Sequence, residues 1–385
     1  MRTREFRARV TTARSYRRTC GTGDHRPRRV LGRFRPDDRD RPMTDWALAG
    51  AGWISAIHGL AIRSLPGSRV VAVASRTDAS AARRIAETGG RTVPYEELPA
   101  GADIVVVATP PSRHATDALR AMAGGAAVLV EKPLCTTLAD ADRLVRVVEA
   151  GGLLTYAENL LFADATAAAL TEVAGLGPLR HLSARALQPR PTWGDFTRRH
   201  WGGGALFDLG VHPLALVVRA ARATPVAVSA RFDASPDIEV EDHAQVSLRF
   251  DSGLVAEVEV SWRSPTGVWD LQAASDTGAV RFELLPDVAL ERNGEPVPLP
   301  PVPQRAPDDP APPQLDRYGY VEQLRDTEAS TRAGRASTVS DVHLGRDLLE
   351  IVCAASESAR TGDEVALPWD GPRDRTPIDL WRPAP

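Results

Sequence analysis

From Trp46 onward, short apolar runs alternate with amphipathic stretches of helical length. Trp46–Ala49 predicts a buried strand running into a glycine turn, and 53–64 a helix stopped at Pro66-Gly67. Val70–Ala74 predicts a second strand, 78–88 an Ala/Arg helix ended by Gly89-Gly90, and Ile104–Ala108 a third strand broken by Pro110-Pro111. Helix 113–123, strand Ala126–Val130, helix 138–149 and strand Leu153–Ala157 continue the alternation. Strands separated by helices of this length predict a parallel, doubly wound sheet.

The second half changes period. After a helix near 161–174, alternating apolar and polar positions mark 225–233, His243–Phe250, Leu254–Trp262, Val268–Ala274 and Ala279–Leu285, with a hairpin signal at Asp251-Ser252-Gly253. They predict an open, mostly antiparallel sheet with one apolar face. Nine prolines between Pro296 and Pro313 predict an extended connector, a PxxP ligand being the other use of such a run. Helix 341–360, with Leu344, Leu348, Leu349 and Ile351 in near-helical spacing, closes the fold. The class is α/β: an N-terminal Rossmann-type domain over 43–160 and a C-terminal α+β domain over 161–385.

Composition narrows the function classes. The 385 residues are 43% hydrophobic and 25% charged, as globular chains are. No stretch reaches the roughly 18 unbroken apolar residues of a membrane span, so no membrane partner and a cytoplasmic location are expected. Cys20, Cys135 and Cys353 lack the spacing of a metal module or a disulfide scaffold, and no metal site is expected. The net charge of −3 conceals an asymmetry: residues 1–42 hold 14 arginines against five acids, leaving the rest at −12. An acidic body argues against nucleic acid as a partner. Residues 1–42 have no hydrophobic periodicity, and no apolar stretch follows the Arg pairs at 17–18 and 28–29, against a secretion signal. Met43 reads as the natural start, with the upstream segment either a start-site extension or a disordered basic arm.

Three features carry candidate chemistry. Gly50-Ala51-Gly52-Trp53-Ile54-Ser55 lies between the first strand and the first helix. Its first glycine permits a tight turn, and its second lets backbone approach a pyrophosphate at the helix N-terminus. Ser55 stands where a third glycine is usual. At the end of the second strand an NAD site usually places an acid for the ribose 2′-hydroxyl; here stand Ser75-Arg76-Thr77, suited to a 2′-phosphate and hence to NADP. Asp78 keeps NAD possible. The second feature is Lys132, the only lysine among 47 basic residues. Arginine has replaced every other cation, and lysine alone offers a compact ammonium that can give up its proton. It lies in Val130-Glu131-Lys132-Pro133, just past a parallel strand, where open α/β sheets bind ligands. The third is Gly202-Gly203-Gly204-Ala205-Leu206-Phe207-Asp208-Leu209-Gly210-Val211-His212. Asp208 and His212, four apart, share a face on a continuous helix and can orient a hydroxyl and pass a proton.

With these motifs the chain resembles the glucose–fructose oxidoreductase / inositol dehydrogenase (Gfo/Idh/MocA) family from about Trp46 to Leu367. The markers are the 50–55 turn, Val107-Ala108-Thr109-Pro110-Pro111-Ser112-Arg113-His114, Glu131-Lys132-Pro133, the 202–212 stretch and Glu357-Ser358-Ala359-Arg360-Thr361-Gly362. The resemblance implies hydride transfer between nicotinamide and a carbinol or ketone carbon of a sugar-like small molecule. It also implies a homodimer or homotetramer through the C-terminal sheet. Carried over residue by residue, Lys132 exchanges the alcohol proton while Asp208 and His212 hold the substrate. Gly50, Gly52, Trp53, Ile54, Thr109, Pro110, His114, Glu131 and Asn159 line the cofactor, with Ser75 and Arg76 at its ribose. Many members carry an Asp three residues after the motif histidine, and this chain has Ala215, which departs from inositol-type enzymes. Asn159, within Glu-Asn-Leu-Leu-Phe, is closer to the sugar 3-ketoreductase branch. Trp193, Arg198, Arg199, His200 and Trp201 fall in the family's substrate loop and suit a phosphorylated or nucleotide-linked sugar. For Lys132 to accept a proton in oxidation, burial and a neighbouring positive charge are expected around it. Reduction of an imine or conjugated double bond, and nucleotide sensing without catalysis, are the other roles open to the scaffold.

Overall fold

The computed structural model describes residues 43–192, 194–303, 312 and 314–383. The expectations for residues 1–42, for Cys20, for Trp193 and for the middle of the proline-rich connector lie outside the described residues. In chain order the first half runs β1 (Thr44–Ala49), α1 (Trp53–Arg63), β2 (Ser68–Ala74), α2 (Asp78–Thr88), β3 (Arg91–Val93), β4 (Ile104–Val107), α3 (Pro111–Ala123), β5 (Ala127–Glu131), α4 (Leu138–Glu149) and β6 (Leu154–Ala157). The six strands form one parallel sheet in the order β3-β2-β1-β4-β5-β6. Every side chain of β4, Ile104-Val105-Val106-Val107, is buried, because helices cover both faces of such a sheet. The strand order reverses between β1 and β4, so the crevice beyond their C-terminal ends is open to a ligand.

The second half comprises α5 (Asp164–Ala174), β7 (Leu179–Pro189), α6 (Ala205–Asp208), α7 (Val211–Ala221), β8 (Pro225–Asp233), β9 (His243–Phe250), β10 (Val255–Ser261), β11 (Arg263–Ser275), β12 (Gly278–Leu285), β13 (Ala289–Arg292), β14 (Glu295–Pro296), α8 (Gln314–Arg317), α9 (Tyr320–Arg332), α10 (Val342–Thr361), β15 (Val365–Ala366) and α11 (Pro377–Trp381). Its nine strands are ordered β14-β13-β12-β11-β7-β10-β9-β8-β15. All neighbours are antiparallel except β7 and β10. The alternation read from the sequence is the pleat: Ala244, Val246, Leu248 and Phe250 of β9 point into the core while Gln245 and Arg249 face out.

The sequence reading lacks the short strands β3, β13, β14 and β15 and the helices α8, α9 and α11; two further departures lie closer to the centre of the fold. Strand β7, central to the second sheet, is absent from the period-2 reading. Its inward positions past Leu182 are Ala184 and Ala186, too small to stand out, and it is held by pairing with β10 on one edge and β11 on the other. The stretch expected to carry Asp208 and His212 on one continuous helix is two helices, α6 and α7, interrupted at Leu209-Gly210. The two halves are joined by α10, which packs against α4 of the first and β8 of the second.

Candidate active site

The ends of β1, β2, β4, β5 and β6 converge on one edge of the first sheet, and nearly every candidate residue stands on the loops that leave them. At the β1–α1 turn Gly50 has φ +110°, and a Cβ there would lie 2.4 Å from the Ala108 carbonyl oxygen that follows β4. Only glycine permits that approach. Gly52, with φ −73°, has no atom within 4 Å of the position its Cβ would take. Its backbone is therefore open to a ligand at the N-terminus of α1, where free N–H groups favour an anion. Ser55, in place of a third glycine, donates its hydroxyl to the Gly50 carbonyl at 2.8 Å and braces the turn. Trp53 begins α1 with 64% of its surface exposed, and Ile54 packs partly against the core beneath.

The turn has a second brace that composition concealed. Arg84, one of the arginines in an Ala/Arg helix that reads as surface, is buried and donates to the Gly52 carbonyl at 2.8 Å and, more loosely, to Ala51 at 3.4 Å. Burial pulls its pKa down, partly offset by the ion pair with Glu87. At the end of β2, Ser75 is half-buried and Arg76 exposed, with no ion pair among the described residues. The following Thr77 caps α2, accepting from the Ser80 amide.

After β4, Thr109 donates its hydroxyl to Asp117 at 2.9 Å, and Pro110 is the N-cap of α3. His114 is buried between two backbone carbonyls, Thr109 at 2.7 Å and Pro133 at 2.8 Å. The two ring nitrogens face the β4 and β5 loops, and a neutral imidazole, with its single N–H, donates to one of these carbonyls at a time. Burial lowers its pKa against the pull of those carbonyls. Glu131 is held from two sides. It accepts from buried His58 of α1 at 2.6 Å and from the Lys132 amide at 3.0 Å. Burial disfavours the carboxylate, but the His58 bond and nearby Lys132 charge overcome this and hold its carboxyl below the ordinary value. These residues lie beneath the crevice and set its loops. Asn159, on the turn after β6, spends an amide hydrogen on the Tyr318 carbonyl at 2.7 Å.

Lys132 directly follows β5 and is joined to Pro133 by a cis bond, and its ammonium reaches across to the second half. Nζ lies 2.9 Å from the Asp208 carbonyl oxygen and 3.2 Å from its carboxylate oxygen Oδ1. The side chain is 20% exposed, enough to meet a ligand. The charge beside it is negative, a correction to the expected neighbouring cation. The helix interruption explains the carbonyl contact. In a continuous helix the Asp208 oxygen accepts from the amide of residue 212, but the His212 amide instead turns to Leu209, at 3.3 Å.

His212 is set by a residue that sequence reasoning did not single out. Its Nδ1 meets the buried carboxylate of Glu158 at 2.7 Å, so Nδ1 carries the proton and Nε2 the lone pair. The second oxygen of Glu158 has no partner among the described residues. The indole of Trp269 packs 5.3 Å from the His212 ring. Glu158 was findable in principle, as an acid immediately beyond a parallel strand at the sheet's ligand edge. Asp208 is held to Lys132 and His212 to Glu158, the residues that follow the paired strand ends Glu131 and Ala157 of β5 and β6.

The substrate-loop cations are already paired. Arg198 meets Glu239 at 3.0 Å, Arg199 meets Asp379 at 2.6 Å, and His200 faces Asp195 at 3.3 Å. Trp201 packs on Phe196 instead of standing free. The Arg198–Glu239 pair is exposed, 59% and 48%, so these side chains stand at the surface where a ligand can still reach them.

Comparison with known proteins places this arrangement among relatives. Residues 44–158 match the model of an oxidoreductase family with an NAD-binding Rossmann fold, and residues 165–281 match the GFO/IDH/MocA C-terminal domain. The chain is 27% identical over 350 residues to a putative UDP-kanosamine synthase oxidoreductase subunit from Amycolatopsis mediterranei (strain S699), covering 82% of this chain and 96% of that protein. It is 36% identical over 165 residues to a dTDP-3,4-didehydro-2,6-dideoxy-alpha-D-glucose 3-reductase from Streptomyces violaceoruber, covering 40% of this chain and about half, 48%, of that one. In fold it resembles GenD2 from gentamicin A biosynthesis, solved with NAD, at a TM-score of 0.74 and 24% identity, covering 84% of this chain and 96% of that one.

Proposed function

Because the chain belongs to the Gfo/Idh/MocA family of oxidoreductases, we propose that it exchanges a hydride between NADP and a sugar carbon that alternates between ketone and alcohol, foremost in a nucleotide-linked sugar. It is a sugar oxidoreductase with an NAD-binding fold; the choice of NADP, the role of Lys132 and the substrate class are our reading. The observation that carries it is the lone lysine at the sheet's ligand edge, with its ammonium held on two oxygens of Asp208.

The β1–α1 turn fits a dinucleotide, since Gly50 fills a space no other residue can and Gly52 leaves its backbone uncovered. Gly50, Gly52, Trp53 and Ile54 would hold the pyrophosphate end, Ser75 and Arg76 the ribose 2′-phosphate, and Thr109, Pro110 and Asn159 the wall toward the nicotinamide. When bound, the cofactor supplies or takes the hydride. In the reducing direction Lys132 donates a proton from Nζ to the carbonyl oxygen as that oxygen gains charge, and in oxidation it takes the proton back. Asp208 aims the ammonium. His212, held by Glu158 with Nε2 as acceptor, orients a neighbouring sugar hydroxyl. Ala215, where inositol-type members carry Asp, favours a keto-sugar over a polyol. The names of the two relatives, one UDP-linked and one dTDP-linked, support a nucleotide-linked substrate. A domain division near residue 160, a cytoplasmic location and a homodimer or homotetramer through the second sheet belong to the same reading.

The test is NADPH oxidation by the chain from Met43, with dTDP- and UDP-linked keto-hexoses, in wild type and Lys132→Arg. Wild type is expected to turn over at least one of them. Lys132→Arg keeps the charge but cannot release the proton, so turnover falls about 100-fold or more while NADPH binding stays within a few-fold. Near wild-type rates in Lys132→Arg refute the mechanism, and no oxidation with any keto-sugar refutes the substrate class.

A further inference from the structure

We propose that Glu241 is a positioning residue that sets the Lys132–Asp208 pair from beneath by clamping the start of α6; this rests on the reading of Lys132 as the proton carrier. Glu241 lies in the loop between β8 and β9 and is buried. Its carboxylate accepts from the Gly204 amide at 3.0 Å to each oxygen and from the Leu206 amide at 3.1 Å, while its own carbonyl accepts from Ala205 at 2.9 Å. Three successive amides at the start of α6, left without partners by any helix N-terminus, are thus satisfied by one residue 35–37 positions away.

The glycine before α6 exists for this contact. A Cβ on Gly204 would lie 2.0 Å from the Glu241 carbonyl oxygen and 2.7 Å from its carboxylate. The Gly204 carbonyl in turn accepts from the Asp208 amide at 2.9 Å, and Asp208 holds Nζ of Lys132. The path from Glu241 to the ammonium therefore runs through one helical turn, with no flexible side chain until Asp208 itself. A displacement at Gly204 moves Asp208 by a similar amount, because a single turn of about 6 Å has no room to absorb it.

Glu241 is a costly choice for a cap. Among the described residues no cation pairs with it, and burial pushes its carboxyl up to about 7 despite the backbone amides it holds. The adjacent Asp242 takes Arg263, Arg190 and Ser235, so those cations serve a separate cluster. A buried carboxyl kept despite its desolvation, one turn from a reacting group, is the mark of a site built for geometry.

The single lysine makes the test independent of any substrate. Protein labelled with ¹⁵N-lysine gives one Nζ signal, and trinitrobenzenesulfonate followed by peptide mapping reports the reactivity of Lys132 alone, apart from the N-terminal amine. Glu241→Gln keeps the shape without the charge, and Glu241→Asp keeps the charge but retracts the carboxylate by one methylene. In each variant that retains cooperative thermal unfolding, the labelling rate of Lys132 is expected to change at least fivefold and its ¹⁵N signal to move. Glu364→Gln, which breaks a distant surface pair with Arg249, leaves both as in wild type. A folded Glu241 variant with a labelling rate within twofold of wild type and an unmoved signal overturns the proposal. That result would leave the oxidoreductase reading intact, just as failure of every keto-sugar would leave this one testable.

Discussion

The two glycines of the β1–α1 turn make a matched pair of perturbations with opposite signatures. In Gly50→Ala the new Cβ begins 2.4 Å from a backbone oxygen, against an ordinary contact of 3.4 Å or more. No rotamer can relieve an overlap between two backbones, so the turn must move about 1 Å from the end of β4. Alanine at φ +110° adds a backbone cost of about 1–3 kcal/mol. The variant should unfold several degrees earlier and should also bind cofactor poorly, since a shift of that size breaks N–H contacts to an anion worth about 1.5–3 kcal/mol each. Gly52→Ala is different. Its φ of −73° suits any residue and nothing stands near its Cβ, so the free protein should keep its melting temperature. The methyl group would instead occupy the space through which a pyrophosphate approaches, and NADPH affinity should fall about 10- to 150-fold. Quenching of tryptophan fluorescence, with exposed Trp53 beside the turn as reporter, reads the affinity; thermal unfolding reads the stability. Wild-type NADPH affinity in Gly52→Ala would refute the placement of the dinucleotide on this turn. A wild-type melting temperature in Gly50→Ala would refute the steric argument.

Three further outcomes follow from the described contacts. Arg76→Ala should weaken NADPH about 10-fold or more and leave NADH nearly unchanged in the same titration, and equal losses for both would remove Arg76 from the 2′-phosphate. Glu158→Gln should lower kcat at least about tenfold with NADPH affinity preserved, because His212 loses the carboxylate that fixes its tautomer; an unchanged kcat would show that His212 needs no such support. Glu241 gives a pH signature in stability. Its folded pKa of about 7 is raised above the ordinary carboxyl value near 4.5, so the unfolded chain releases this proton first and folding pays a growing penalty as pH rises between those values, constant above them. Urea unfolding should therefore show Glu241→Gln gaining on wild type by about 3 kcal/mol between pH 4.5 and 7. A gap independent of pH would mean that the carboxyl titrates normally in the fold.

Much of this was legible along the chain because the governing forces are local. Five of the six parallel strands declare themselves by apolar runs and by the glycines and prolines between them, and the GxG turn needs only its own backbone geometry; β3, Arg91-Thr92-Val93 with only Val93 buried, gives no such signal. Lys132 stands out through the scarcity of its kind. The rest depends on contacts that no window contains. Strand β7 carries alanines where a strand usually shows Val or Ile, and its place at the centre of the sheet comes from neighbours about 70–100 residues further on. Arg84 resembles its solvated neighbours until α2 folds against the turn, and Glu158 and Glu241 act on partners 54 and 35–37 residues away. Asp208 and His212 fell at the right spacing for a shared helical face, but Leu209-Gly210 lets the backbone break between them, a choice that helical periodicity does not register.

That break divides the control of Lys132 between two independent parts of one residue. The Asp208 carbonyl, released from helical bonding, fixes where the ammonium sits; the Asp208 side chain sets the charge it feels. A substitution at this position changes the second and spares the first, since every residue has a carbonyl. Location is thereby inherited through the chain's path and the neighbouring charge through its sequence. On the proposed reading of Lys132 as the proton carrier, descendants of this protein could change the charge beside that ammonium without losing hold of it.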